Sequence, residues 1–323
     1  AELSSFALTM KARNKERNIL NNTVKPNICR LENIKFDNSE IEEFTSKFGS
    51  ELSNLNLELN LNQFTESDNF GSLINPSIEN SNTIRKIILS KDFSSYLFLK
   101  STQNLLIKFL DYSEYLGRKY HVVLTNPPYL GGNKMNSSLS KFAGKLYPDS
   151  KADLFAMFME RSFEMTRKNG MMAMINMHSW MFLSSFEKFR TKILSNSTLL
   201  NMAHIGSNGF DSIGGEVVST TAFVFQNKTN HNHISDFLRL VDGKSEEEKS
   251  SLIKKIIADL ESSLIYRLST ISFREIPGSP FIYWMSQNFK DNFKFGSKLS
   301  NVSEIKQGLA TSNNEKFLRL WSE

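Results

Sequence analysis

The sequence predicts an α/β fold in which short apolar strands form a buried sheet and helices connect them. Short apolar runs bounded by turn-forming residues are typical of buried strands. One such run ends at Thr125, and a methionine-rich run occupies 170–177. Between them, residues 151–168 place Leu154 and Phe155 on one face of a helix. The expected strands are 28–33, 121–125, 170–177, 201–206 and 220–226.

Helices are expected in most of the remaining chain. Residues 1–13 carry an apolar stripe at helical spacing, and one or two helices are expected within 83–117. A long amphipathic helix is expected over 245–268, with Ser245 and Glu248 forming a capping box at its start. The wider segment 36–118 is interpreted as a largely helical insertion. The helix over 151–168 is expected to end at Gly170, because glycine is common just after the last turn of a helix.

The residues that follow strand 121–125 carry the most specific chemistry. Asn126 offers a neutral side-chain acceptor. Pro127 and Pro128 fix φ and lack an N–H, and each holds the preceding residue in extended geometry. The Asn126 side chain and the Pro127 carbonyl therefore point in one direction, while Tyr129 offers a face on which a base can stack. Two acceptors beside a stacking surface suit a planar ring with an exocyclic amino group, whose more nucleophilic form they favour. The alternative is a rigid turn without chemistry.

Three stretches resemble a known family: VVLTNPPYLGGNKMN, LYPDSKADLFAMFMERS and SWMFLSSFEKFR. They look like the PglX-type adenine-specific DNA methyltransferases of bacteriophage-exclusion (BREX) systems. They are also similar to the methyltransferase part of type IIG restriction-modification enzymes. The resemblance covers 1–323 and is strongest over 121–226. One departure is His121, where the family usually has an acidic residue.

This resemblance implies a Rossmann-like S-adenosylmethionine-dependent methyltransferase sheet with an antiparallel member near its end. It also implies adenine-N6 methylation of double-stranded DNA after base flipping, with Asn126, Pro127, Pro128 and Tyr129 as the catalytic loop. Other phage-defence proteins are expected partners. The implied division of the chain is a partial catalytic domain, a helical spacer and the start of a target-recognition domain, at 1–230, 231–300 and 301–323.

The implied methyl donor is S-adenosylmethionine, and the sequence contains only part of the expected cofactor site. The glycine-rich loop that follows the first strand in this family is not found here. The sheet is therefore expected to be incomplete at its N-terminal side. We expect this fragment by itself to bind the cofactor weakly or not at all, and therefore to be inactive as an enzyme. The expected later contacts are Asp68, Phe70 and Asn126. The alternative for Asp68 is an ordinary helix cap or Asx-turn.

The resemblance places three aromatic residues in the target-base pocket: Tyr129, Trp180 and Phe210. Ordinary packing is the alternative for Trp180. The stretch 130–144 is rich in Gly, Asn, Ser and Lys and is expected to be a loop. Three lysines in or beside it are expected near the DNA backbone, with a solvated surface as the alternative: Lys134, Lys141 and Lys145.

Charge, cysteine content and hydropathy limit the kinds of site and the cellular location that this protein can have. The net charge of +5 is compatible with nucleic acid but weak evidence alone. The single cysteine, Cys29, excludes an intrachain disulfide and a cysteine-based zinc site. His178 has no partner at metal-ligand spacing and is interpreted as structural, so no metal is expected. No apolar stretch reaches the roughly 18 residues needed to span a bilayer, and the expected location is the bacterial cytoplasm.

Two other functions remain open at this stage. Enzymes that methylate a glutamine amide in proteins share the Asn-Pro-Pro-Tyr motif, although they are compact. The second alternative is a DNA- or partner-binding piece without catalysis, because the glycine-rich cofactor loop is not found in this sequence. The recognised DNA sequence and any fused nuclease lie beyond what these residues specify.

Overall fold

A computed structural model describes residues 2–21, 25–48, 61–76, 78, 80–210, 218–259, 262–297 and 299–304. Six strands of these ranges form one sheet in the order β1-β2-β4-β3-β5-β6. Their bounds are β1 (Tyr120–Thr125), β2 (Thr166–Met177), β3 (Thr198–Gly206), β4 (Thr220–Gln226), β5 (Ser235–Arg239) and β6 (Ile265–Leu268). The predicted α/β class is confirmed, as are four of the five predicted strands.

The strand directions bring several strand ends to one edge of the sheet. β1 pairs in parallel with β2, with Thr125 opposite Met174. β4 is antiparallel to both β2 and β3, which confirms the expected antiparallel member. β5 is parallel to β3, and β6 is antiparallel to β5. β1, β2, β3 and β5 therefore run in the same direction. We call the end of the sheet at which these four strands finish the carboxyl edge.

The α-helices of the described ranges are α1 (Glu2–Arg13), α2 (Asn38–Ser46), α3 (Ser67–Phe70), α4 (Ser81–Leu89), α5 (Leu97–Gly117), α6 (Ser137–Leu146), α7 (Leu154–Met165), α8 (Glu187–Asn196), α9 (Glu246–Ala258) and α10 (Gln287–Phe295). Short 3₁₀ helices occupy Arg17–Asn21, Asn62–Phe64, Gly71–Leu73, Gly132–Lys134, His178–Met181, Ser184–Phe186, Thr270–Glu275 and Leu299–Asn301. The segment 36–118 is largely helical where it is described, as predicted. No helix in the described ranges is long and apolar enough to cross a bilayer.

The predicted strand 28–33 is wrong. This segment has no strand partner among the described residues. It runs beside the helices, where the partly buried Cys29 and Leu31 pack against a hydrophobic cluster that includes Phe44, Phe64 and Phe109. The N–H of Ile34 donates to the carbonyl of Phe64 at 2.8 Å. Its apolar residues are therefore buried by helices, which local periodicity cannot distinguish from burial in a sheet.

The predicted role of Gly170 is also wrong. Helix α7 ends at Met165, and β2 begins at Thr166. The left-handed residue is Asn169, with φ of 65°. Gly170 lies within β2, where a Cβ would come within 2.7 Å of the His121 carbonyl oxygen. This glycine therefore permits the close approach of β1 and β2 rather than ending a helix.

The expected loop over 130–144 and the expected long helix over 245–268 both need correction. The first contains α6 and a 3₁₀ turn, because Asn136 caps α6 by accepting from the Leu139 N–H at 2.8 Å. The predicted helix over 245–268 begins after its cap Ser245, as expected, but it is shorter than predicted. Helix α9 ends at Ala258, and the last residues of the predicted helix form strand β6.

Strands β5 and β6 lie in the segment predicted to be a helical spacer, 231–300. They extend the same sheet beyond β3, so this segment is not an all-helical spacer. The boundaries between domains remain a prediction. The expected start of a further domain at 301–323 lies almost wholly outside the described residues.

One face of the sheet is covered and the other is open. The side chains of the covered face pack into the main hydrophobic cluster, which includes Trp180, Phe223 and Phe225. On β1, Val122 and Leu124 point to the other face and are 60 % and 76 % exposed. A cleft of about 880 Å³ runs along this open face. β1 also stands at the end of the strand order, so no described strand pairs with its outer edge.

Candidate active site

The Asn-Pro-Pro-Tyr loop lies at the carboxyl edge, directly after β1. Asn126 is exposed and lines one end of the open cleft, whereas Pro127 is buried. Tyr129 is half-buried, and its ring meets Phe155 edge-on at 6.2 Å between centroids. Burial raises the pKa of Tyr129, so its hydroxyl stays protonated and donates to Asn126 Oδ1 at 3.4 Å. The loop therefore presents an exposed polar side chain next to the hydroxyl of a half-buried aromatic ring.

Asp153, which sequence analysis did not single out, anchors this loop. Its carboxylate accepts from the Leu130 N–H at 3.0 Å and caps α7 by accepting from the Phe155 N–H at 3.3 Å. Burial raises its pKa, and these backbone donors oppose the rise. The Leu154 N–H donates back to the Leu130 carbonyl at 3.0 Å. An aspartate just before an apolar helical run was the available signal, since it indicates an N-cap.

Replacing Asp153 by alanine is expected to destabilise the fold by about 2 kcal/mol and to lower methyl transfer by the whole protein. The reason is that one change removes both a helix cap and the anchor of the loop. Asp153→Asn keeps an acceptor oxygen and should lose less of both. Melting temperature and methyl transfer are the measurements.

Asp37 provides the matched control for Asp153, because it caps α2 by accepting from the Ser39 and Glu40 N–H groups. Asp37→Ala should lower stability less than Asp153→Ala and leave methyl transfer by the folded protein unchanged. Equal effects of Asp153→Ala and Asp37→Ala on methyl transfer would rule out an anchoring role.

The segment 67–76, which contains the predicted cofactor contacts Asp68 and Phe70 and is called the predicted cofactor segment, is hydrogen-bonded to the start of α6. Asn69 and Asn136 exchange side-chain hydrogen bonds at 3.0 and 3.3 Å. Asp68 is exposed, and its carboxylate has no hydrogen-bond partner in the described part of the chain, so the alternative of a cap or Asx-turn is not observed. The half-buried Phe70 ring stacks on Phe142 at 4.2 Å and also packs against the hydrophobic cluster of the helical segment.

The residues predicted for the target-base pocket do not come together as expected. Trp180 is 0 % exposed and packs among Phe223, Phe225 and Phe281. Its indole N–H donates to Asn176 Oδ1 at 3.2 Å. A base cannot reach it, so its assignment to the pocket is wrong and ordinary packing is correct. Phe210 is half-buried beside residues outside the described ranges, and its role remains a prediction.

The three lysines lie on exposed surface near the loop. Lys134 ends a 3₁₀ turn, and Lys141 and Lys145 are one turn apart on α6. None of them belongs to the ion pairs found among the described residues. Their contact with DNA remains a prediction.

Two histidines form a buried hydrogen-bonded pair near the carboxyl edge. His178 Nδ1 lies 2.8 Å from His204 Nε2, and His204 Nδ1 lies 3.0 Å from the Tyr283 hydroxyl. Burial lowers the pKa of both imidazoles, that of His204 to about 3, with positive charge on Arg239 as a further cause. The three residues are far apart in the sequence, so no local pattern indicated this group. No cluster of three metal-ligating side chains occurs in the described ranges.

Acidification is expected to destabilise the fold through His204. Its pKa is about 3 in the folded state and 6.5 as the reference value, so the unfolded chain binds the extra proton as pH falls below 6.5. Stability therefore rises with pH between about 3 and 6.5. Between pH 7 and pH 5 the wild type should lose about 2 kcal/mol more than His204→Gln. Urea denaturation at both pH values measures this; parallel pH profiles would contradict it.

The sheet, with this loop at its carboxyl edge, fits the class of Rossmann-like methyltransferases that the sequence predicts. The family model of the Eco57I restriction-modification methylase matches residues 1–210. The chain belongs to this family.

Relatives support the assignment. The chain is 37 % identical over 330 residues to the adenine-specific methyltransferase PglX of Lacticaseibacillus casei (strain Zhang), covering 100 % of this chain and 27 % of the relative. It is 35 % identical over 353 residues to the adenine-specific methyltransferase BrxX of Escherichia coli O9:H4 (strain HS), covering 100 % and 28 %. The chain thus spans about a quarter of these relatives.

A solved structure that resembles the chain is a nuclease-deletion mutant of the Type ISP restriction-modification enzyme LlaGI in complex with a DNA substrate mimic. The match has 15 % identity and a TM-score of 0.41, and it covers 58 % of this chain and 20 % of that one.

Proposed function

We propose that this chain is the catalytic core of a DNA adenine-N6 methyltransferase that serves phage defence or restriction-modification. The observation that carries the proposal is the exposed Asn126 side chain, which lies beside the Tyr129 hydroxyl at the carboxyl edge of the sheet. Open α/β sheets bind their ligands at this edge. The relatives named as adenine-specific methyltransferases supply the substrate class.

In the proposed mechanism the target adenine leaves the duplex, because its amino group is unreachable inside the base stack. Asn126 Oδ1 and the Pro127 carbonyl accept from the amino group, and Tyr129 stacks on the base. For this the Tyr129 hydroxyl releases Asn126 Oδ1, which costs little because their hydrogen bond is long. Two acceptors hold the amine in its nucleophilic form and orient it for in-line attack, so positioning supplies most of the acceleration.

S-adenosylmethionine fits the residues present only in part. When bound, it supplies an electrophilic methyl group on a sulfonium. The exposed carboxylate of Asp68 would accept from its adenine amino group, the part of Phe70 that stays accessible would contact its adenine ring, and Asn126 would border it. The open edge of β1 supports the view that further strands and the glycine-rich loop belong to the whole protein.

Double-stranded DNA is the proposed substrate partner, with Lys134, Lys141 and Lys145 approaching phosphates. Such contacts would make binding weaken steeply with salt. Association with other phage-defence proteins and a cytoplasmic location follow from the same proposal.

The test of the proposed function is methyl transfer by the whole protein from radiolabelled S-adenosylmethionine. Duplex DNA and glutamine-containing peptides are offered separately, and the labelled DNA is digested to nucleosides. The expected product is N6-methyladenine. Label found only in the peptides would replace the proposal by glutamine-amide methylation. Label in neither substrate would favour the alternative that this chain binds DNA or a partner protein without catalysis.

A further inference from the structure

Two hydrogen bonds form a chain that links Tyr283 to His178, which directly follows β2. The positive charge of Arg239, at the end of β5, acts on the Tyr283 hydroxyl. Tyr283 contacts His204 at 3.0 Å, and His204 contacts His178 at 2.8 Å. His204 and Tyr283 are only 4 % and 3 % exposed, whereas His178 is half-buried. The chain therefore begins in the interior and ends at a partly accessible imidazole.

The chemistry of these groups determines the direction of every hydrogen bond. The positive charge of Arg239 acts on the Tyr283 hydroxyl. It favours the orientation in which the Tyr283 oxygen faces the guanidinium and the hydrogen points to His204 Nδ1. A neutral imidazole carries one N–H, so the hydrogen of His204 lies on Nε2 and is donated to His178 Nδ1. By the same rule, the hydrogen of His178 lies on its Nε2. Burial lowers the pKa of both histidines, which keeps them neutral.

The free end of this chain lies beside the Asn-Pro-Pro-Tyr loop in the sheet order. Thr125 on β1 pairs with Met174 on the adjacent, parallel β2. β1 ends at Thr125 and β2 ends at Met177. Tyr129 and His178 therefore both follow the carboxyl edge on neighbouring parallel strands, four residues and one residue after their strands end. His178 Nε2 faces away from His204 and has no hydrogen-bond partner among the residues that the structure describes.

From this geometry we infer that His178 is a specificity-determining residue whose Nε2–H donates to a ring nitrogen of the target adenine. The ring nitrogen is one of the two that flank the amino group, N1 or N7, both of which are acceptors. The inference rests on the proposed function and adds a donor to the two acceptors of the loop. Tyr283 and His204 act as positioning residues, because they hold the Nε2–H tautomer.

The experiment combines variants of His178 with altered bases in the whole protein. Duplex DNA that the wild type methylates is prepared with adenine, 1-deazaadenine or 7-deazaadenine at the target position. Each deaza base keeps the amino group and lacks one ring acceptor. His178→Phe keeps a ring without a donor, and His178→Gln places an amide N–H near the position of Nε2. Initial rates at subsaturating DNA are measured, with Asn126→Ala on the same substrates.

His178→Phe is expected to lower the rate on adenine roughly tenfold, the scale of one lost hydrogen bond. One deaza base should lower the wild-type rate by a similar factor, and His178→Phe should then cause little further loss on that base. His178→Gln should recover part of the rate on adenine only. These ratios compare substrates of one variant, so a change in the folded fraction cancels.

Equal losses from His178→Phe on all three bases would overturn the inference and leave a purely structural histidine. If His178→Phe gives equal losses but Asn126→Ala abolishes methylation in the same series, only the inference about His178 fails and the proposed function stands. If Asn126→Ala methylates at the wild-type rate, the proposed function fails and this inference fails with it.

Discussion

Asn126→Ala in the whole protein is expected to lower methyl transfer to adenine by roughly a hundredfold or more, the scale of one preorganised polar contact to a transition state. The variant should fold normally, because Asn126 is exposed and its one side-chain hydrogen bond in the described structure is the 3.4 Å contact with Tyr129. The free energy of unfolding should change by less than about 1 kcal/mol. Melting temperature and DNA methylation are measured side by side.

Variants of Tyr129 separate stacking from hydrogen bonding. Tyr129→Ala removes a stacking surface worth about 1–3 kcal/mol per base, and it should also lower stability because the ring packs against the main hydrophobic cluster. Tyr129→Phe keeps the ring and loses only a long hydrogen bond, so it should be nearly neutral. A wild-type rate for Asn126→Ala would show that this loop is not the catalytic site. Parallel losses of stability and activity in Asn126→Ala would indicate a rigid turn instead.

Arg161→Ala is expected to be the most destabilising of these substitutions, at about 3–5 kcal/mol. Arg161 is 1 % exposed in α7. Its guanidinium donates to the carbonyls of Ser72 and Leu116 at 3.0 and 2.6 Å and to Asn75 Oδ1 at 2.9 Å. Alanine would leave these acceptors without their donor in the interior. The network also ties the predicted cofactor segment to the helix that holds the Asn-Pro-Pro-Tyr loop.

Thermal melting tests this prediction, with an expected fall on the order of 10 °C. Arg161→Lys should recover only part of the loss, because an ammonium cannot reach acceptors in three directions as a planar guanidinium does. The control is Arg118→Ala, since Arg118 is 51 % exposed and pairs with Glu114 on the surface; it should cost less than about 1 kcal/mol. Similar melting temperatures for Arg161→Ala and Arg118→Ala would contradict the role of the network.

Local patterns were sufficient for part of the fold. The strands 121–125 and 220–226 and the helices within 83–117 could be predicted because apolar spacing and turn residues act over a few neighbours. The same patterns misassigned 28–33, whose apolar residues are buried by helices, and Gly170, whose missing Cβ serves strand packing.

Partners distant in the sequence explain what was missed in the site. Trp180 follows a strand end, like a pocket residue, yet Phe281 and its neighbours cover it completely. Asp153 could have been found as a helix cap, although its bond to Leu130 could not. Strands β5 and β6 were hidden inside a segment whose most visible signal was the capped helix between them.

The sequence by itself determined the α/β class, the central strand and the Asn-Pro-Pro-Tyr loop at its end, because each depends on residues adjacent in the chain. Only the tertiary structure decided the strand order and the chain of hydrogen bonds through His178, His204 and Tyr283. Those features depend on contacts across 26 and 79 residues of chain. The folded sheet creates such contacts, and no spacing along the sequence encodes them.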